Sequence, residues 1–169
     1  MTKFVLTIGI PGSGKTTFAK KYAAENKYDY ISSDEIRYDR FADEFGDSEE
    51  QSEIWREARL RIAQSLKSGK SVLLDSTMTR EQNRTSLINF AKSIDENIEI
   101  TGMHFNTALE TCLERNSKRE KPVPEEVIEK MFKQYQPPSE TEGFTEILEL
   151  DENFNPAEEI TNEFNPPIS

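Results

Sequence analysis

Gly9-Ile-Pro-Gly-Ser-Gly-Lys-Thr16 sets glycines, a lysine and a hydroxyl in the order G-x-x-x-x-G-K-[ST]. Each residue type suits the holding of phosphate. Gly12 and Gly14 let the backbone turn its N–H groups inward, so that several donors, Ser13 among them, converge on phosphate oxygens. The helix that starts there adds its positive end. Lys15 reaches the β- and γ-phosphates, the Thr16 hydroxyl completes the coordination of Mg²⁺, and Thr17 extends the nucleotide-binding set. A plain glycine turn before a helix would not require Lys-Thr at its end. The motif points to triphosphate binding and leaves its use open, because such loops serve kinases, switches and motors alike.

A second candidate is Asp34 within Ser32-Ser-Asp-Glu-Ile-Arg37. Phosphoryl transfer to a hydroxyl needs a carboxylate that orients the attacking oxygen and accepts its proton. Arg37, three residues on, shares a helical face with Asp34 and can hold a phosphate of the acceptor by a bidentate bond. The competing reading is structural: Ser32 and Glu35 form a capping box, and Asp34 then favours a helix N-terminus. Asp75 ends an apolar run, where a Walker-B-like carboxylate stands beside Mg²⁺. Ser76, Thr77 and Thr79 follow it with hydroxyls, although a strand-ending turn capped by Thr79 explains them too. Arg115, Lys118, Arg119 and Lys121 make the one clearly basic cluster. That cluster either compensates a helix dipole or forms a lid whose arginine stabilises charge on the transferring group. His104, Cys112 and Trp55 read as structural, since one His and one Cys make no metal site.

The elements that must position these residues alternate. Phe4–Ile8 is a near-continuous apolar run, the mark of a parallel strand covered on both faces. Further strands are expected at Tyr28–Ile31, Ser71–Asp75, Ile98–Phe105 and Phe144–Leu150. Helices are expected over 15–26 and 48–67, after caps at Thr79/Gln82 and Thr107/Glu110, and from Pro124. This alternation predicts a three-layer α/β fold, a five-stranded parallel sheet with helices on both faces. Residues 1–150 would form the P-loop domain and 151–169 an acidic C-terminal tail. Asn155, Pro156 and Glu158 suit the start of a short helix in that tail, with a frayed end as the alternative.

Composition narrows the classes. The chain has 169 residues with 32 acidic and 21 basic side chains, a net charge of −11. Nine of the acids and none of the bases lie in residues 138–169, so residues 1–137, with 23 acids and 21 bases, are nearly balanced at −2. Binding of nucleic acid through bulk charge is excluded, and any such role must be local. No apolar run approaches the ~20 residues of a membrane span. The short apolar start reads as a strand, not a signal peptide. A single cysteine excludes an internal disulfide and fits a reducing cytoplasm.

Taken together, GIPGSGKTT at 9–17, SSDEIR at 32–37, LLDST at 73–77, ERNSKR at 114–119 and EGFTEI at 142–147 resemble the 5′-hydroxyl polynucleotide kinase family. The resemblance runs from residue 3 to about residue 150. It implies a kinase-type P-loop fold with strand order 2-3-1-4-5. It implies ATP with Mg²⁺ as the phosphate source and the 5′-OH end of DNA or RNA as acceptor. Asp34 would be the general base, Arg37 the ligand of the phosphate beside the accepting nucleoside, and Asp75 the strand-end aspartate. Ser76 and Thr77 would line the acceptor site, Arg119 would touch the transferring phosphate, and Arg115 with Asn116 would lie near the nucleotide. Glu35 stands where some members carry a second Asp. No D-x-D-x-T phosphatase signature occurs, which implies a kinase without the phosphatase of the fused enzymes. Residues 39–53 carry seven acids and only Arg40, which predicts weak, salt-sensitive end binding. The rival readings are a kinase of a small-molecule hydroxyl (nucleoside, sugar or antibiotic) and an ATP-binding switch without an acceptor.

Overall fold

A computed structural model describes residues 1–41, 48–151, 153 and 154. Its strands are β1 (Lys3–Ile8), β2 (Asp29–Ser32), β3 (Val72–Asp75), β4 (Glu99–Phe105) and β5 (Glu146–Leu150). The helices are α1 (Lys15–Asn26), α2 (Ser33–Phe41), α3 (Ser48–Lys67), α4 (Glu81–Ile94), α5 (Leu109–Ser117) and α6 (Glu125–Lys133). All strand pairs are parallel, and the order across the sheet is β2-β3-β1-β4-β5, as the resemblance implies.

β1 is central because both of its faces are apolar. Phe4, Leu6 and Ile8 point into a core with Ile54, Ala58 and Ile62 of α3 and Leu87, Ile88 and Ala91 of α4. Val5 points the other way, into a second core with Ala19 and Ala23 of α1 and Met103 and Phe105 of β4. The alternation along one strand thus fills two layers, one on each side of the sheet. A third, smaller core of Ile10, Cys112 and Ile128 joins α5 and α6 beneath the glycine loop.

Several local expectations are corrected. α4 starts at Glu81 after Arg80 in extended conformation, with no side-chain cap, so the Thr79/Gln82 capping box does not form. α5 starts after Ala108, and the Thr107 hydroxyl donates instead to the Ser13 carbonyl at 3.2 Å. β5 starts at Glu146 rather than Phe144, because a 3-10 turn over Glu140–Glu142 and Gly143 at φ 110° lead into it. Phe144 is free of the strand and packs over Gly102, where a Cβ would stand 2.9 Å from its ring. A whole helix, α2, grows from the Ser32 cap, whose hydroxyl accepts the Glu35 N–H at 3.2 Å. The tail helix expected from Asn155 lies outside the described residues. Phe154, just past the expected boundary at 150, packs against Phe18 and Phe105 in the second core. No described helix is long and apolar enough to cross a membrane.

Candidate active site

The strand order reverses at β1, between β3 and β4, and the crevice at the carboxyl ends of these strands is where open α/β sheets bind ligands. The glycine loop fills it. Gly12 and Gly14 hold φ at 86° and 89°, the left-handed region that favours glycine. A Cβ on Gly12 would meet the Cys112 carbonyl at 2.3 Å, so the loop backbone lies directly on α5. The Gly9 N–H donates to the Thr77 carbonyl at 2.9 Å, and the Ser13 carbonyl accepts from Thr107 and from Arg115, both at 3.2 Å. The loop is therefore held from β3 on one side and from α5 on the other. The Ser13 hydroxyl is buried and has no hydrogen-bond partner among the described residues.

Lys15 opens α1 and is only 9% exposed. Burial lowers its pKa below the ordinary ammonium range, Asp75 and Asp34 pull it back up, and Arg119 pushes it down again. Asp34, Asp75 and Arg119, from three further segments, therefore all lie within electrostatic reach of Lys15. Thr16 and Thr17 are exposed on the first turn of α1.

Asp75 is buried and supported from two strands. The Tyr30 hydroxyl donates to its Oδ2 at 2.5 Å, and the Thr7 hydroxyl lies 3.4 Å from its Oδ1. Burial and the hydrogen bond to Asp75 raise the Tyr30 pKa far above the usual phenol range, so Tyr30 stays a donor at any working pH. Thr7 also accepts the Ser76 N–H at 3.0 Å and donates to the Ser76 carbonyl at 2.8 Å, which sets the turn after β3. Ser76 is buried and accepts the Ser33 hydroxyl at 3.0 Å, linking that turn to the start of α2.

On α2 the Arg37 guanidinium donates to Asp34 Oδ1 at 2.8 Å. The side chains differ in exposure, 62% for Asp34 and 16% for Arg37. The Arg37 Nε is buried without a hydrogen-bond partner among the described residues. Ser32 accepts the Glu35 N–H, one half of the expected capping box, and Asp34 and Arg37 share a face as expected. Glu35 points elsewhere, to Lys20 at 3.6 Å.

The basic segment leaves α5 and turns toward α6. Asn116 is buried, its amide donating to the Val123 carbonyl at 2.7 Å and accepting the Val123 N–H at 2.9 Å. Both ends of that side chain tie the segment together, two residues before the exposed part of the basic cluster begins. Arg115 lies beside Gly14, as does the Phe154 ring. Lys118, Arg119 and Lys121 are exposed.

Sequence reasoning missed three supports. Thr7 and Tyr30 look like ordinary strand residues, and nothing in their spacing points to Asp75. Arg84 leaves a trace, since it falls on the inward stripe of α4 with Leu87, Ile88 and Ala91. It is fully buried and pairs through Nε and Nη2 with both Glu142 carboxylate oxygens, at 2.6 and 3.0 Å. Its Nη1 holds the Met78 carbonyl at 2.8 Å, and Met78 sits at φ 45° in the turn that follows Asp75. Arg84 is thus a brace for the turn that follows β3.

Loop, sheet edge and flanking carboxylates define a nucleotide-binding P-loop protein of the kinase type. The sequence matches the AAA_33 family, an AAA domain, over residues 4–138, and the chain belongs to that family. It is 27% identical to the L-seryl-tRNA(Sec) kinase of Methanococcus maripaludis over 184 aligned positions, covering 89% of this chain and 67% of that protein. The fold superposes with a TM-score of 0.70 on a chain of the Pnkp1/Rnl/Hen1 RNA repair complex, at 24% identity, covering 79% of this chain and 43% of that one. It superposes with a TM-score of 0.68 on a sugar kinase from Janibacter, at 18% identity, covering 100% of this chain and 99% of that one. The chain thus spans less than half of the RNA repair chain it resembles. These likenesses establish a phosphotransferase fold shared by proteins with different acceptors.

Proposed function

We propose that the chain transfers the γ-phosphate of ATP to the 5′-hydroxyl of a DNA or RNA end. The observation that carries this reading is the Asp34–Arg37 pair on one face of α2, with Asp34 exposed and acting electrostatically on Lys15. A carboxylate so placed takes the proton of an attacking hydroxyl, and the half-buried guanidinium offers its remaining donors to a phosphate next to that hydroxyl. The loop N–H groups and Lys15 receive the donor phosphates, and Arg119 neutralises charge that develops on the transferred group. Arg115 and Asn116 stay candidates for the donor nucleotide, and Asn116 also ties the basic segment together through Val123.

Thr16 and Asp75 would hold Mg²⁺. The donor set suits that ion, since one hydroxyl and one buried, hydrogen-bonded carboxylate leave the remaining positions to phosphate and water. When bound, Mg²⁺ would neutralise phosphate charge.

A second reading has its own support. The 27% identity to a seryl-tRNA kinase favours a hydroxyl carried on RNA away from the 5′ end. The test is γ-labelled ATP offered with 5′-OH oligonucleotides, seryl-tRNA, free nucleosides and sugars. Label on oligonucleotide 5′ ends is expected. Label on seryl-tRNA alone installs the second reading, and label on small acceptors alone overturns both.

A further inference from the structure

Tyr38 is one of the few large apolar side chains left exposed, at 44%, and it follows Arg37 directly on α2. Asp34, Arg37 and Tyr38 stand at i, i+3 and i+4, so all three share one helical face. Asp34 and Tyr38 are separated along the axis by just over one turn, about 6 Å. That is the scale on which a nucleoside carries its base away from its 5′-hydroxyl. Across the mouth, the Lys121 ammonium from the basic segment lies 5.7 Å from the centre of the Tyr38 ring. The basic segment and α2 therefore meet over an aromatic face, with an exposed cation seated on it.

We infer that Tyr38 is the stacking platform for the terminal nucleobase of the acceptor, with Lys121 closing over it. The inference rests on the nucleic-acid reading above and sharpens it. A hydroxyl acceptor without a ring gains nothing from Tyr38, whereas any of the bases has a π-face to offer it. Tyr38 would then discriminate nucleoside ends from sugars while leaving the identity of the base unread. A cation beside the ring favours a substrate that brings both π-surface and phosphate.

The test compares full-length wild type with Tyr38→Ala, Tyr38→Trp and Tyr38→Phe. Two acceptors are used: a short 5′-OH oligonucleotide and the same strand with an abasic 5′-terminal residue. Tyr38→Ala is expected to raise the KM of the intact strand roughly tenfold, with kcat little changed, and the aromatic variants are expected to restore it. The abasic strand should show the raised KM already in the wild type, with no further rise in Tyr38→Ala. An unchanged KM for the intact strand, or equal rises for both strands, overturns the platform. Unchanged binding of a fluorescent ATP analogue verifies that Tyr38→Ala is folded. Wild-type enzyme that labels no nucleic-acid end overturns the function proposed above, whereas wild type that labels ends without responding to Tyr38 overturns this inference alone.

Discussion

The two walls of the crevice are built differently. The donor wall is backbone: Gly12 lies so close to the Cys112 carbonyl that a methyl group has no room, and the Gly9 N–H and Ser13 carbonyl are anchored to neighbouring segments. The wall that the proposal assigns to the acceptor is side chains on a short helix, with a mostly exposed Asp34, an ion pair to Arg37 and the exposed ring of Tyr38. A wall of backbone tolerates little change, because its donors come with the fold. A wall of side chains can be rewritten residue by residue. The same fold accordingly recurs in an RNA repair complex and in a sugar kinase.

The largest effect should come from the donor wall. Lys15→Met is expected to lower transfer by about 10³-fold or more in a labelled-phosphate assay. The same change should raise the Tm of the nucleotide-free protein at neutral pH, because burial disfavours the Lys15 ammonium. The sign follows from proton binding. With the folded pKa lowered, the unfolded chain holds the proton more tightly, so the wild type gains stability as pH rises from its folded pKa toward the unfolded value of 10.5. The advantage of Lys15→Met should therefore shrink across that window. A Tm for Lys15→Met below that of wild type at pH 7 would contradict this.

Next in size is the brace behind the acceptor wall. Arg84→Met leaves the Glu142 carboxylate buried without its partner, a loss of about 3–5 kcal/mol that denaturant titration would register. Combining it with Glu142→Leu should recover part of this, because no isolated charge is then buried. Recovery to full wild-type stability is not expected, since Arg84 also holds the Met78 and Pro137 carbonyls and Glu142 accepts the Ser139 N–H. The smallest effect belongs to Arg37. Arg37→Lys keeps the charge but loses the planar fork, and it should raise the acceptor KM roughly tenfold with kcat nearly unchanged. An equal fall in kcat would place Arg37 in the chemistry instead.

The same contrast explains what the sequence made legible. The glycine loop is contiguous, so type and spacing revealed it, and β1 to β5 appeared as apolar runs whose order across the sheet came from family resemblance. Pairings across long sequence separations did not appear. Arg84 and Glu142 are 58 residues apart, and neither names its partner. Thr107 illustrates a different failure, because a hydroxyl before a helix reads as a cap, yet tertiary contact gives it to the Ser13 carbonyl. The tie that Asn116 makes to Val123 did not appear either, because nothing in its spacing names that partner. Of the acidic residues at 39–53, Glu53 is paired with Arg40 at 3.5 Å, so part of that charge is neutralised within the fold.

Asp34→Asn tests the central claim most directly, with ATP affinity and turnover measured on the same preparation. Binding should stay within about twofold of wild type, because the donor wall is untouched, while transfer should fall by about 10²–10⁴-fold as the proton acceptor is lost. Turnover near the wild-type value would mean that Asp34 only starts a helix, and the division of the crevice into a donor wall and a chemically active acceptor wall would fail with it.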